Sequence, residues 1–232
     1  MKKFLVVNAD DFGASTGINR GIVEGHVRGI VTSASLMVTG RALGEAVSLS
    51  EEHPALSVGL HWDVWGEDER EFDVRDHGAV RDEFRRQMDE FHRRLGRLPT
   101  HIDSHRHAHR EEHLRPVFGE LAHSLGIPLR DEGRVRFVGG FYAQWEWMKT
   151  NLEYVSVPFL EHLLGEEVQP GWTELSCHPG YVSDDFFSVY LPEREAELRT
   201  LTDPRIAAAI TTLGIRLASY ADYDGGAPRE EG

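Results

Sequence analysis

Residues 100–109 read Thr-His-Ile-Asp-Ser-His-Arg-His-Ala-His, and this short stretch contains four of the 13 histidines in the chain. If the stretch is a β-strand, alternate side chains share a face, so His101, Asp103 and His105 point the same way. Imidazole and carboxylate groups that converge on one side of a rigid element can bind a divalent cation or transfer protons. A histidine-rich surface turn is the alternative interpretation, but the alternation of these groups around an apolar residue favours a functional site.

Outward from this stretch, strands and helices are predicted to alternate along the whole chain. The apolar runs predict further strands at residues 4–8, 31–38, 56–62, 128–131, 135–138, 173–177 and 216–219. Amphipathic patterns predict helices at residues 15–28, 42–52, 79–95, 111–125, 142–151, 157–164, 193–201 and 205–213. Such alternation is typical of a parallel α/β sheet or barrel. We therefore predict one α/β domain over residues 1–221, followed by a flexible C-terminal tail at residues 222–232.

Chemically reactive side chains stand where the predicted strands end. Asp10 and Asp11 follow the first strand. His61 lies near the end of the third strand, and His178 follows the strand that ends at Cys177. Each group alone has a plainer explanation, because Asp favours turns and a single histidine in an apolar strand is more often a core residue. Barrel enzymes carry their chemistry at the C-terminal ends of the strands, so the coincidence predicts one shared site.

The composition excludes several classes of function. With 39 acidic against 25 basic residues, the formal net charge is −14, which argues against nucleic acid or an anionic membrane as a partner. The single cysteine, Cys177, excludes an internal disulfide and a multi-cysteine zinc finger. The apolar run at residues 4–7 is too short for a signal peptide, and no run approaches the length of a membrane span. We therefore predict a cytoplasmic protein.

The motifs that are present favour metal-assisted hydrolysis. The sequence contains no glycine-rich phosphate loop of the Walker type and no Gly-x-Ser-x-Gly nucleophile elbow. Cys177 precedes His178, but neighbours in a strand face opposite ways, so this imidazole is badly placed to activate the thiol. The adjacent carboxylates of Asp10 and Asp11 can divide the work of hydrolysis, since one can bind a metal while the other remains free as a base.

Five motifs occur in the order found in a known family. They are Asn-Ala-Asp-Asp-Phe-Gly at 8–13, Gly-Leu-His at 59–61, Thr-His-Ile-Asp-Ser-His at 100–105 with His107 and His109, Ser-Cys-His-Pro-Gly at 176–180, and the ending at 215–220. Together they resemble the YdjC-like carbohydrate deacetylases, which include the chitooligosaccharide deacetylases. The resemblance spans nearly the whole chain. It implies a distorted (β/α) TIM-like barrel, removal of an acetyl group from an N-acetylated sugar, and one divalent metal ion, usually magnesium.

Carried over residue by residue, the resemblance makes Asp11, His61 and His105 the metal ligands. It makes Asp10 the general base and His178 the general acid. Two imidazoles and a carboxylate suit zinc, cobalt, nickel or iron better than magnesium, which prefers oxygen ligands. Manganese is a further candidate. The family therefore indicates magnesium, whereas the ligand chemistry indicates a transition metal.

Other residues are predicted to support the site. Asp103 would orient a ligand imidazole, and Arg130 would orient Asp10. Trp62 and Tyr181 are candidate sugar contacts, because aromatic rings can stack on the faces of sugars.

Several alternatives stay open at this stage. The aromatic residues at 141–148 could form core, a dimer contact or a sugar platform, and core is the favoured interpretation. The rival functions are another metal-dependent hydrolase (a phosphoesterase or amidohydrolase), a deacetylase of a lipid-linked amino sugar, and a non-catalytic sugar- or metal-binding relative. The expected partner is a small N-acetylated sugar, and the resemblance favours a homodimer.

Overall fold

Seven strands and seven α-helices alternate in the computed structural model, which describes residues 2–63, 73–185 and 188–225. The strands are β1 (Lys3–Phe12), β2 (Ser33–Leu36), β3 (Ser57–Trp62), β4 (Ile102–Ser104), β5 (Val135–Val138), β6 (Gly171–Cys177) and β7 (Ile215–Ala218). The helices are α1 (Thr16–Arg28), α2 (Leu43–Glu52), α3 (His77–Leu95), α4 (Arg115–Leu125), α5 (Val157–Glu167), α6 (Pro192–Leu201) and α7 (Pro204–Thr212). Short 3₁₀ helices cover His105–Arg110, Leu152–Val155 and Tyr220–Asp222.

One parallel sheet organises the chain, in the strand order β4-β3-β2-β1-β6-β5. β1 is the longest strand and pairs with β6 along Lys3–Ala9. It pairs with β7 through its first residues and with β2 through its last ones. The sheet therefore curves as a half-barrel around β1, and the predicted α/β barrel class is confirmed. Because all strand pairs are parallel, the carboxyl ends of the strands meet at one rim.

The composition of β1 explains its central position. Leu5, Val6, Val7 and Ala9 are fully buried, so this strand is covered on both faces. Near-continuous apolar runs of this kind are typical of parallel strands between layers of helices. The helix that follows begins where the sequence predicts, because the Ser15 side chain accepts a hydrogen bond from the backbone of the first turn.

The histidine-rich stretch differs from its prediction. β4 is only three residues long, and His105 already belongs to the 3₁₀ helix that follows. Arg106 and His107 adopt left-handed backbone angles, with φ of 53° and 54°, and this conformation cannot continue a strand. The predicted strand at 128–131 is reduced to one bridge between Leu129 and Ile102.

The predicted helix at 142–151 is wrong. The segment forms a turn in which Glu146 and Lys149 pair across an isolated bridge, and Met148 has a φ of 57°. At the other end of the chain, Asp222 closes the last 3₁₀ helix by accepting from the backbone of Ser219. Most of the predicted tail, residues 226–232, lies outside the described residues, so the tail stays a prediction. Among the described helices, none has the length and apolar character that a membrane span requires.

Candidate active site

A cavity of about 1010 Å³ opens at the carboxyl ends of the strands. The five residues that the family resemblance assigns to metal binding and catalysis all line it: Asp10, Asp11, His61, His105 and His178. They come from β1, β3, the 3₁₀ helix after β4, and the residue after β6. The parallel sheet thus brings together side chains that are up to 168 positions apart in the sequence.

Asp11 stands between two imidazoles. Its Oδ1 atom lies 3.2 Å from Nε2 of His61 and 3.2 Å from Nδ1 of His105. Its Oδ2 atom accepts a hydrogen bond of 2.6 Å from the guanidinium of Arg194. The backbone of Asp11 is left-handed, with a φ of 68°, at the irregularity where β1 shifts register against β2. Such a strained position is often part of a functional site.

These three side chains fit a divalent metal ion. Their donor atoms lie within 4.8 Å of one another, and two of the three residues are buried. The donor set is two imidazole nitrogens and one carboxylate oxygen, which suits zinc and its neighbours among the transition metals.

Asp103 fixes the orientation of His61. Nδ1 of His61 lies 2.7 Å from Oδ1 of Asp103, and both side chains are fully enclosed. When His61 is neutral, a carboxylate at this distance favours the tautomer in which Nδ1 donates, so the lone pair of Nε2 is directed towards Asp11. Burial alone would lower the pKa of His61, but the neighbouring Asp103 raises that pKa well above its usual value.

Arg130 holds Asp10 through both carboxylate oxygens. Its two terminal nitrogens donate to Asp10 over 2.7 and 2.6 Å. Asn8 and Ser35 donate to the same carboxylate. Burial alone would raise the pKa of Asp10, but the charge of Arg130 outweighs it and places the pKa well below its usual value. Asp10 is therefore an ionised, immobilised carboxylate beside the imidazoles.

The same guanidinium joins two further buried acids. Arg130 lies 2.7 Å from a carboxylate oxygen of Asp103 and donates through Nε to Glu174 over 2.8 Å. The second oxygen of Glu174 accepts from the hydroxyl of Tyr220 over 2.5 Å. Burial raises the pKa of Glu174 despite the charge of Arg130. One fully buried cation thus links β1, β4 and β6 beneath the cavity.

His178 lies between Asp10 and a buried glutamate of α6. Its Nε2 atom is 3.8 Å from Oδ2 of Asp10, and burial lowers its pKa to about 4. The backbone N–H of His178 donates to Glu197 over 2.5 Å, while the hydroxyl of Tyr190 donates to the other oxygen of this carboxyl group. Burial raises the pKa of Glu197 to about 8. Nδ1 of His178 is 3.9 Å from Glu197.

Two predicted sugar contacts lie elsewhere. Trp62 is fully buried and packs edge-on against Phe118, with ring centroids 4.7 Å apart. The hydroxyl of Tyr181 donates to Glu24. Neither aromatic residue is among the described residues that line the cavity. The structure therefore gives no support to either as a sugar contact.

The sequence analysis missed the contribution of α6. This helix buries Glu193, Arg194 and Glu197, and Arg194 reaches the carboxylate of Asp11. Charged residues on a helix usually mark a solvated face, so nothing in Pro-Glu-Arg-Glu-Ala-Glu-Leu-Arg signals that several of them face inward. Only the fold places the start of this helix against the cavity.

The half-barrel and its cluster of acids and imidazoles at the strand ends define a (β/α)-barrel enzyme. The chain belongs to the YdjC-like protein family, whose family model matches residues 4–212. The family resemblance inferred from the motifs is thus confirmed.

Two relatives and one solved structure illustrate the similarity. A chitooligosaccharide deacetylase of Serratia marcescens is 33% identical, over 96% of this chain and 100% of its own. A carbohydrate deacetylase of Geobacillus stearothermophilus is also 33% identical, over 96% and 99%. A crystal structure from Enterococcus faecalis V583, described as a candidate cellobiose-phosphate cleavage protein, superposes with a TM-score of 0.78 at 26% identity, over 95% of this chain and 98% of that one.

Proposed function

We propose that this protein is a metal-dependent hydrolase that removes the acetyl group from an N-acetylated sugar, with chitooligosaccharides such as N,N′-diacetylchitobiose as the substrate class. One observation carries the proposal. The donor atoms of Asp11, His61 and His105 converge in the same cavity as Asp10 and His178. The chain is also similar over 96% of its length to proteins named as a chitooligosaccharide deacetylase and a carbohydrate deacetylase.

Oδ1 of Asp11, Nε2 of His61 and Nδ1 of His105 would hold the ion. A metal bound there would polarise the acetyl carbonyl and make water more acidic. The donor set favours zinc, cobalt or nickel over magnesium.

Asp10 is proposed to accept a proton from the attacking water. Its two bonds to Arg130 fix the carboxylate in place, and its low pKa keeps it ionised at neutral pH. A carboxylate of low pKa is a modest base, so this role depends on the attacking water being made more acidic. Arg130 thus sets both the position and the charge of the base.

His178 is proposed to deliver that proton to the leaving amine. With a pKa of about 4 it is neutral at pH 7, so it has to receive the proton before it can donate one. Asp10 is the source, since Oδ2 lies 3.8 Å from Nε2 of His178. In this hydrolysis the hydroxyl of water forms a bond to the acetyl carbon, and the C–N bond breaks. The proton of the water passes through Asp10 and His178 to the nitrogen, which leaves as the amine.

The first experiment is acetate release from N,N′-diacetylchitobiose and a panel of N-acetylated sugars. Metal-stripped protein is compared with protein reloaded with Mg²⁺, Mn²⁺, Co²⁺ or Zn²⁺. We expect release only with metal. A phosphate ester in the same panel tests the phosphoesterase alternative. Tight binding of one metal per chain without acetate release from any sugar would contradict the proposed reaction.

The adjacent carboxylates offer a matched pair of variants. Asp10→Asn should keep the bound metal but lower kcat by about 10²–10⁴, the usual contribution of a positioned base. Asp11→Asn should lose the metal, because it removes a charged ligand. Metal content and turnover are measured on both. Near-normal turnover of Asp10→Asn would show that the base is wrongly assigned.

The cytoplasmic location, the homodimer and the absence of a nucleic-acid partner stay predictions from the sequence.

A further inference from the structure

The cavity continues from His178 onto three aromatic side chains, Tyr142, Trp145 and Trp147, which we call the aromatic arm. The ring of Tyr142 lies 5.5 Å from that of His178 and 6.2 Å from that of Trp145. Exposure increases outward, from the half-buried Tyr142 to 61% for Trp145 and 76% for Trp147. The favoured interpretation of these tryptophans as core is therefore wrong.

We propose that the aromatic arm is the binding subsite for the second pyranose ring of an N-acetylated oligosaccharide, and that Trp145 and Trp147 create the preference for disaccharides over monosaccharides. This inference rests on the proposed deacetylation and deepens it.

The chemistry of the cavity sets the direction of the bound sugar chain. His178 is the group proposed to protonate the leaving amine, so the ring that carries the amine must lie beside His178. Tyr142 is the next side chain outward, and Trp145 and Trp147 lie beyond it in the same cavity. A neighbouring sugar unit therefore meets the tryptophans.

The exposure of the two tryptophans has no structural benefit for the folded chain alone. Large apolar side chains left exposed beside a cavity commonly mark a ligand surface. Tryptophan offers a flat apolar face together with an N–H donor. The apolar faces and hydroxyl edges of a pyranose match both features.

The arm is held in place rather than left to be ordered by the ligand. Asn151 donates from its backbone to Ala143 over 2.8 Å, which closes the turn. The side chain of Gln144 donates to Glu193 of α6 over 2.7 Å. The backbone of Ala143 donates to the hydroxyl of Tyr190, whose ring stacks on Tyr142 at 4.6 Å. Preorganisation of this kind lowers the entropic cost of binding.

The size of the cavity agrees with a ligand longer than one sugar. Its volume of about 1010 Å³ lies at the upper end of the range of about 300–1,000 Å³ for sites that hold drug-sized ligands. A monosaccharide bound at His178 would leave the part of the cavity beside the tryptophans empty.

The test compares kcat/KM for N,N′-diacetylchitobiose with kcat/KM for N-acetylglucosamine in the metal-loaded protein. We expect the disaccharide to be preferred. The double variant Trp145→Ser/Trp147→Ser should lower this preference about tenfold, whereas Trp147→Phe should keep most of it. Tyr154→Ser is the matched control, because Tyr154 is an exposed aromatic residue that does not line the cavity.

The outcomes separate this inference from the proposed function. Hydrolysis of both sugars with a ratio that the double variant does not change would overturn the subsite. Calorimetric titration of the protein with each sugar gives a second readout that needs neither turnover nor the tryptophans that the double variant removes. Tighter binding of the disaccharide that the double variant abolishes, without acetate release, would support the subsite and reject the deacetylase. Equal binding of both sugars would also overturn the subsite.

Discussion

The cavity floor and the cavity rim differ in burial and in the interactions that hold them in place. The floor consists of Asp10, Asp103, Glu174 and Arg130, which are buried and joined by short ionic hydrogen bonds. The rim is the aromatic arm, whose two tryptophans are exposed and which contacts the rest of the chain through the ring of Tyr142 and its backbone turn. Removing one charged partner from the floor leaves an unpaired charge buried away from water. Shortening the tryptophans of the rim exposes little additional buried surface, because they are already exposed. Stability should therefore depend on the floor, and ligand preference on the rim.

The largest effect is expected from Arg130→Met, which removes the only cation that the structure shows touching all three floor acids. The variant should lose about 3–5 kcal/mol of unfolding free energy, the usual result of breaking a buried ionic network on one side. Urea unfolding of the metal-free protein measures it.

Arg136→Met is the matched control, because Arg136 pairs with Glu167 at the surface over 2.8 Å. An exposed pair of this kind contributes less than about 1 kcal/mol. Equal losses in the two variants would show that the floor network is not a special determinant of stability.

A comparable effect, spread over several pH units and with a defined sign, is expected from Glu197→Gln beside the floor. Burial raises the pKa of Glu197 to about 8, above its value of about 4.3 in an unfolded chain. Between these values the folded protein keeps a proton that the unfolded chain releases, so this group makes wild-type stability fall as pH rises. Glutamine removes that dependence. The variant should gain about 1.4 kcal/mol per pH unit relative to wild type between pH 5 and 8.

Unfolding by urea at several pH values gives the difference between the two proteins. Glu195→Gln, on the same helix but partly exposed, shows what the substitution does outside the buried site. Parallel stability curves for wild type and Glu197→Gln would mean that Glu197 titrates as an ordinary carboxyl group.

The floor was largely predictable from the sequence, and the rim was not. Asp10 and Asp103 interrupt apolar strands, and their placement at the strand ends follows from parallel pairing alone. The sequence did not predict that Glu174 belongs to the floor. It lies within β6, and its partners Arg130 and Tyr220 come from distant parts of the chain.

The rim depends on the path of a turn rather than on a periodic pattern. The aromatic residues at 141–148 are equally consistent with a buried core segment and with an exposed binding surface. What separates them is the bridge between Glu146 and Lys149 and the left-handed Met148, which direct Trp145 and Trp147 outward. Phe141, a few residues earlier, is buried as the composition suggests.

The smallest effect is expected from Trp147 at the rim, and the buried Trp62, which was also a candidate sugar contact, provides the comparison. Trp147→Ala should change the unfolding free energy by less than about 0.5 kcal/mol, because 76% of this residue is already exposed. Trp62→Ala should cost about 3–5 kcal/mol, since it empties a fully buried site against Phe118. Urea unfolding of both variants measures the contrast. A loss of several kcal/mol in Trp147→Ala would mean that this side chain is part of the packed core, and the rim would then have to be counted with the floor as a determinant of stability.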